Sequence, residues 1–150
     1  MTGQIPVEME ITDLDRFSAG ELDPRDVRAS LTILGRRFLE LVLSPDAIAL
    51  HRIMVGEVTR FPVLGEVFWR AGPERERLQI EDFLRRAAAA GALTLPDPRL
   101  AAEQFVSLVR ADVQLRQLLR LAAEPSDREI EIVVEGAVGT FIRAFQPEPD

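Results

Sequence analysis

The stretch that decides the fold runs from Ser44 to Arg77 and reads SPDAIALHRIMVGEVTRFPVLGEVFWRAGPERER. Its first three residues are a helix start, because serine can cap free backbone N–H groups and proline fits the first helical position. Apolar side chains follow at helical spacing until Pro62, which ends the helix. A short aromatic turn comes next, and Pro73 begins another helix. Two helices joined through an aromatic kink can wall a cavity, so this stretch is the first candidate for a functional site.

Similar helix starts recur along the chain, which predicts an all-α fold of five long helices plus a short one. Asp23 is the predicted N-cap of the first helix, Ser126 and Glu129 form a capping box for the last, and Gly91 suits a left-handed helix end. The fourth helix is predicted as one continuous element. The predicted helices span about 24–43, 44–61, 63–71, 73–90, 97–122 and 126–145. On the helix at 73–90, the side chains expected to face the core are Leu78, Ile80, Phe83, Leu84 and Ala87.

Composition places the chain among compact cytoplasmic proteins. Its 150 residues are 47% hydrophobic and 29% charged, which fits one globular domain over residues 24–145 with a short tail at 146–150. No cysteine is present, so disulfides and thiolate chemistry are excluded. The net charge of −7 disfavours contact with nucleic acid, and neither an export leader nor a membrane-spanning run is apparent.

Residues 1–23 form an acidic N-terminal arm ahead of the first helix. Ile5, Val7, Met9 and Ile11 alternate with other residues, which is the period of a short strand. A single strand leaves its backbone groups unpaired. The segment is therefore interpreted either as a loosely ordered leader or as a strand that pairs with another subunit.

The last two long helices are apolar around most of their circumference, which predicts burial on more than one side. Gly136 and Gly139 are costly inside a helix unless another backbone comes close. We therefore predict a homodimer formed through these helices, the alternative being that both are buried within one chain. The predicted interface residues are Val113, Leu118, Val134, Gly136, Val138, Gly139, Phe141 and Ile142.

No arrangement of residues predicts catalysis, a cofactor or a metal ion. His51 is the one histidine, and no nucleophile or second ligand lies at a useful spacing from it. It is interpreted as a half-buried packing residue or as a polar group lining a cavity. Arg110 and Asp112 lie within an apolar helix and fit either a solvated stripe or a polar pocket lining. The aromatic side chains fit a core as well as an apolar ligand pocket.

Three segments resemble the C-terminal domain of TetR-family transcriptional regulators, with the AefR-like branch the most similar. They are LSPDAIALHRIMVGE at 43–57, RFPVLGEVFWRAGPER at 60–75 and DPRLAAEQFVSLVRAD at 97–112. The resemblance covers about residues 31–145. It implies a cytoplasmic effector-binding and dimerisation domain, in which the last two helices form a four-helix bundle between subunits.

The resemblance also implies where an effector would bind, with a small apolar or aromatic molecule as the expected partner. Residues 1–23 contain no recognition-helix pattern, so this chain is not expected to contact DNA itself. The alternative function is a DNA-free protein that heterodimerises with a full-length regulator and withholds it from DNA. The candidate pocket residues are Phe38, Leu50, His51, Met54, Phe68, Trp69, Phe83, Phe105 and Val109.

Overall fold

The computed structural model describes residues 20–121 and 123–149. These residues form seven helices and no strand, which confirms the all-α prediction. The arm predicted at residues 1–23, including the strand-like alternation at 5–11, lies almost entirely outside the described residues. The helices are α1 (Val27–Leu43), α2 (Pro45–Glu57), α3 (Pro62–Ala71), α4 (Pro73–Ala89), α5 (Pro98–Arg110), α6 (Val113–Leu118) and α7 (Asp127–Phe145).

Helix α1 is the centre of the domain. It packs against α7, α5 and α2, while α5 lies between α4 and α7. Leu31, Leu34 and Phe38 of α1 are completely buried, as their four- and three-residue spacing predicts. At Gly35 the helices come close together, because a Cβ atom there would lie 3.2 Å from a methyl carbon of Val134.

The predicted caps are largely present. The Ser44 hydroxyl accepts a hydrogen bond from the N–H of Ala47 in α2 at 3.2 Å, and the Ser126 hydroxyl accepts one from the N–H of Glu129 at 3.1 Å. Gly91 has φ +80°, and the chain around it closes α4 with a hydrogen bond from Ala92 N–H to the Ala87 carbonyl at 2.9 Å. The left-handed helix end predicted there is confirmed.

The prediction for the start of the first helix was wrong by about three residues. Asp26 is the N-cap of α1, its carboxylate accepting the N–H of Ala29 at 3.4 Å. Asp23 instead lies in the preceding turn, where its carboxylate accepts the N–H of Arg25 at 2.9 Å and its carbonyl accepts the Ser30 hydroxyl at 2.7 Å. Two aspartates could cap this helix, and local sequence does not choose between them.

The fourth predicted helix is two helices. The chain breaks after Arg110, where Ala111 has φ +44°, and α6 begins at Val113. Helix α6 is held at its C-terminal end by a distant residue, because Arg52 of α2 donates to the carbonyls of Gln117 at 2.8 Å and Leu118 at 3.1 Å. Such free carbonyls at a helix end need partners.

Leu78 was predicted to face the core, and this was wrong. It is about half exposed, while its neighbours Glu76 and Arg77 are buried. Arg77 is held by an ion pair with Glu81 at 2.6 Å, one turn further along α4. None of the helices in the described ranges is long and apolar enough to cross a lipid bilayer.

Candidate functional site

Three titratable side chains from different helices interact electrostatically. They are His51 of α2, Glu76 of α4 and Arg110 at the end of α5. The charge of Arg110 acts on both of the others, lowering the pKa of His51 and opposing the rise in the pKa of Glu76. We call these three residues the polar cluster.

Arg110 is a partly buried cation, and one of its donor atoms has no acceptor within the described chain. Its Nε atom is buried without a hydrogen-bond partner, and burial lowers the pKa of the guanidinium. The guanidinium carbon lies 5.7 Å from the centre of the Phe38 ring, within the range of a cation–π contact. The ring supports the charge on one side, while the Nε atom is enclosed by the protein without an acceptor.

Glu76 is the buried acid of the cluster. Only 8% of its surface is exposed, and burial raises the pKa of its carboxyl group from 4.5 to about 7, although Arg110 acts against this rise. Near neutral pH the carboxyl group is therefore protonated in a large fraction of molecules and can donate as well as accept a hydrogen bond.

His51 completes the cluster on the α2 side. Its ring meets the ring of Phe68 edge to face, with centres 6.1 Å apart, so that α2 and α3 are joined at this point. Burial, and then the charge of Arg110, lower the pKa of the imidazole. Both effects favour the neutral ring at physiological pH, which can donate from one nitrogen and accept at the other.

The structure distributes the predicted pocket residues among three environments. Phe38, Phe83, Phe105 and Val109 are completely buried, Leu50, His51, Met54 and Phe68 are half-buried, and Trp69 is 52% exposed. Phe105 packs edge to face on Phe141 of α7 at 5.3 Å, and so belongs to the α1–α5–α7 core. Phe38, His51 and Phe68 are the predicted residues that the structure brings to the polar cluster.

Sequence analysis did not select Glu76, although a signal for it was present. Glu76 lies four residues before Ile80 and seven before Phe83, on the apolar stripe of α4. A charged residue at a core position of a helix is uncommon without a partner or a function. Arg110 follows the buried Val109 directly and was considered, but nothing in its local pattern separated a polar lining from a solvated stripe.

A second feature is an open groove of about 630 Å³ between α5 and α7. The groove is lined by Leu100, Glu103, Gln104, Ser107, Leu108, Thr140, Phe141, Ala144 and Phe145. Other apolar side chains on α5, α6 and α7, and in the turn after α6, are also exposed. At least a third of each of Leu108, Leu115, Leu119 and Ile132 is uncovered by the described chain.

The predicted interface residues lie at different depths beside this groove. Val113, Val134, Val138 and Phe141 are buried in the core of the chain itself, and Leu118 and Ile142 are partly buried against it. Gly136 is exposed, with nothing within 4 Å of the position a Cβ atom would take. Gly139 meets only the Arg143 side chain there, at 3.5 Å. The sequence analysis predicted that another backbone comes close to these two glycines. Within the described part of one subunit, no backbone from another element does so.

Comparison with known proteins assigns the family. Residues 29–147 match the C-terminal domain of AefR-like transcriptional repressors. The flavonoid-responsive regulator FrrA has a similar structure, with 30% identity, a TM-score of 0.76, and a match covering 95% of this chain and 74% of that one. No curated protein matches the sequence significantly.

Two further solved structures show the same fold. A TetR-family regulator from Mesorhizobium loti matches with a TM-score of 0.84 and 18% identity, over 93% of this chain and 71% of that one. A TetR regulator from Agrobacterium tumefaciens matches with a TM-score of 0.75 and 19% identity, over 94% of this chain and 70% of that one. The family consists of regulators rather than enzymes, which confirms that the chain is not an enzyme. The chain belongs to the AefR-like branch of the TetR family of transcriptional regulators, and its helices form the regulatory C-terminal domain of that family.

Proposed function

We propose that this domain binds a small aromatic effector and homodimerises, so that the effector changes the geometry of the dimer. The observation that carries the proposal is the polar cluster, in which Arg110 of α5 interacts electrostatically with His51 of α2 and Glu76 of α4 and lies over the ring of Phe38 of α1. An interior of this kind, apolar with a few polar groups, is what small-molecule sites require.

The α2–α3 layer is the part of the domain that an effector can displace with least loss of packing. Helix α2 buries only Ile48 fully, and α3 has no fully buried residue. By contrast, α1, α5 and α7 each contribute several completely buried side chains. Segments with few buried apolar contacts open at lower free energy than the core. FrrA, at 30% identity, is described as responsive to flavonoids, and we take a planar polyphenol-like molecule as the effector class.

The α5–α7 groove and the exposed leucines beside it support the dimer. A second copy related by a two-fold axis would place the same apolar surface opposite itself, as closed dimers require. Leu108 lies at the groove and Leu115 continues the apolar surface on α6. The exposed backbone at Gly136 would allow a partner helix to approach closely.

The dimer is tested by light scattering on a size-exclusion column at micromolar concentration. The chain has a mass of 16.8 kDa, and we expect twice that value for the wild-type protein. Leu108→Glu buries a charge in the proposed interface and is expected to give the monomer. Val63→Glu on α3, equally apolar and 64% exposed, is the matched control and should remain a dimer. A wild-type monomer would contradict the dimer, and a dimer of both variants would place the interface elsewhere.

The same surface supports a second candidate, heterodimerisation with a full-length regulator of the family. The matched segment is the C-terminal domain, and the apolar groove needs no DNA-reading head in order to pair. Mixing the chain with a tagged full-length relative and recovering the tagged protein distinguishes heterodimerisation from homodimerisation. Exchange of subunits favours heterodimerisation, and two separate homodimers exclude it.

A further inference from the structure

We propose that α5 and α6 join into one continuous helix in a second state of the domain, which places Leu108, Leu115 and Leu119 in one row against a second copy of the chain. This inference rests on the proposed function, because it concerns the surface through which the domain dimerises and the regulation of that surface by α2. We call the two arrangements the broken state, which the structure shows, and the joined state.

The break between the two helices has an unfavourable backbone. Ala111 has φ +44° and ψ −133°, a region that residues with a Cβ atom rarely adopt. Neither glycine nor proline occurs from Arg99 to Leu121, and this is why the sequence predicts one continuous helix here. A strained backbone of this kind persists only where the surrounding structure holds it. The break is therefore imposed by packing rather than by local sequence.

Helix α6 has little of its own to keep it separate from α5. It contains six residues, Val113–Leu118, and isolated helices of that length are unstable in water. Its N-cap residue, Asp112, makes no capping hydrogen bond with its side chain, and the first four N–H groups of a helix have no partner within it. In the joined state those N–H groups, at residues 112–115, would bond to the carbonyl groups of residues 108–111.

Contacts with α1 and α2 hold α6 in the broken state. Arg52 of α2 donates to the last two carbonyl groups of α6 at 2.8 and 3.1 Å, and Val113 and Gln114 are buried. Arg52 directly follows His51, so an effector that displaces this part of α2 also withdraws Arg52 from α6. The two states form a two-state element, and the position of α2 sets the balance between them.

The exposed leucines on either side of the break form one row when the helix is continuous. Leu108 lines the groove between α5 and α7, and Leu115 and Leu119 follow it by seven and eleven residues. At about 100° per residue, the three side chains then lie within about 20° of one direction. In the broken state they are 37%, 56% and 58% exposed. The row continues the groove at which we place the partner subunit, so a second copy is the molecule that would cover it.

The experiment measures amide hydrogen exchange of the full chain by NMR at residues 112–115. Two variants favour the joined state by different routes. Arg52→Met removes the hydrogen bonds to α6, and Ala111→Val makes the break more costly, because a β-branched residue is far less tolerated at positive φ than in a helix. We expect exchange at residues 112–115 to slow at least about tenfold in both variants, because these amides acquire helical hydrogen bonds. In Arg52→Met the amides at 116–118 should exchange faster at the same time, since they move to the fraying last turn of the longer helix.

A reversing substitution and two controls assign the effect to the break. Ala111→Gly favours the broken state, since glycine accepts a positive φ and is costly within a helix. When it is combined with Arg52→Met, exchange at residues 112–115 should return to the wild-type rate. Arg28→Met on α1 and Ala89→Val on α4 change exposed helical positions elsewhere and should leave these amides unaffected.

The dimer provides a second readout of the joined state. Sedimentation equilibrium of Arg52→Met should give a dimer dissociation constant at least about tenfold lower than that of the wild type, because Leu115 and Leu119 are added to the apolar contact. Leu119→Glu in the same background should abolish this gain, because it places a charge in the row.

Each remaining outcome has a definite meaning. Faster exchange at 116–118 in Arg52→Met, without slower exchange at 112–115 in either variant, would show that α6 detaches without joining α5. That result overturns the inference and leaves the proposed dimer intact. Slower exchange without tighter dimerisation would overturn the role of the leucine row. A wild-type monomer would contradict the proposed dimer and the leucine row together, while exchange at 112–115 would still decide whether the two helices join.

Discussion

Replacement of Glu76 by glutamine is expected to stabilise the protein at neutral and alkaline pH. The substitution keeps the shape of the side chain and removes its ionisation. In the wild type the carboxyl group is 8% exposed, and burial raises its pKa from 4.5 to about 7. The unfolded chain holds this group in water, where it ionises with its ordinary pKa.

The direction in which the free energy of unfolding changes with pH depends on whether the folded or the unfolded chain binds the proton more tightly. Between about pH 4.5 and 7 the folded protein keeps a proton on Glu76 that the unfolded chain has released. The free energy of unfolding therefore falls as the pH rises through this window, and the stabilising effect of the proton is lost above about pH 7. His51 has the opposite sign, because its lowered pKa removes stability as the pH falls through its ordinary value of 6.5. Comparison of wild type with Glu76→Gln at each pH cancels the titration of His51, provided that Arg110 acts on it equally in both proteins.

The magnitude follows from the size of the pKa change. One pH unit corresponds to about 1.4 kcal/mol, so a rise from 4.5 to about 7 corresponds to about 3 kcal/mol of destabilisation by the ionised form. Glu76→Gln should match the wild type near pH 4.5. It should exceed the wild type by about 1–3 kcal/mol above pH 7.5, because the amide also has to be accommodated in a buried position.

The assay is urea unfolding followed by circular dichroism at a series of pH values. Protein concentration is held constant, since the stability of a dimer depends on it. Asp82→Asn is the matched control. It lies on the same helix with two thirds of its side chain exposed, in a surface pair with Arg86, and it should give a nearly flat difference against pH.

Two results would refute the reasoning about Glu76. A difference between wild type and Glu76→Gln that does not vary with pH would show that the carboxyl group does not titrate in this window. A variant less stable than wild type at about pH 8 would show that Glu76 is ionised and stabilised, most simply by Arg110.

Two further predictions concern the packing of the helices. Gly35→Ala should be less stable than Gly56→Ala by about 1–3 kcal/mol, since a methyl group at Gly35 meets Val134 at 3.2 Å while Gly56 has open space around it. Unfolding of the two variants in urea measures this difference. Equal stability would show that the core around Gly35 rearranges to accept the methyl group. Arg52→Met should accelerate amide hydrogen exchange in α6 at least about tenfold relative to an exposed control, Arg28→Met, because two hydrogen bonds to the α6 carbonyls are lost. Unchanged exchange would mean that α6 is held by packing alone.

The helices and the family could be predicted from sequence because their signals are local. Ser44 and Ser126 precede their helices as capping residues, Gly91 ends one, and the apolar stripe of α1 continues without interruption. Each of these features depends on residues within two turns of one another. Local chemistry determines them, and tertiary packing agrees with it.

The break after Arg110 and the polar cluster could not be predicted in the same way. Nothing near Ala111 ends a helix, and the short helix that follows the break is held at its far end by Arg52, sixty-five residues earlier than Gln117. Glu76 and Arg110 are far apart in sequence as well, and the apolar stripe on which Glu76 lies gives no indication of its partner. The packing of α4 on α5 is a contact between distant segments, so the electrostatic interaction of the two residues is not contained in any local pattern.

The position of Arg110 connects the two halves of the proposed function. Leu108, two residues before it on α5, is exposed at the groove where we place the partner subunit, whereas Arg110 reaches the interior. A helix moves as a nearly rigid body, so a ligand that draws Arg110 towards itself also changes the position of Leu108. Arg52 provides a second connection, because it fixes α2, which carries His51, to the end of α6, which carries the exposed Leu115. An effector that displaces α2 and draws in Arg110 therefore acts on the proposed dimer surface through α5, before the break at Ala111, and through α6, after it. Removal of Arg52 should weaken the connection through α6 and leave the connection through α5.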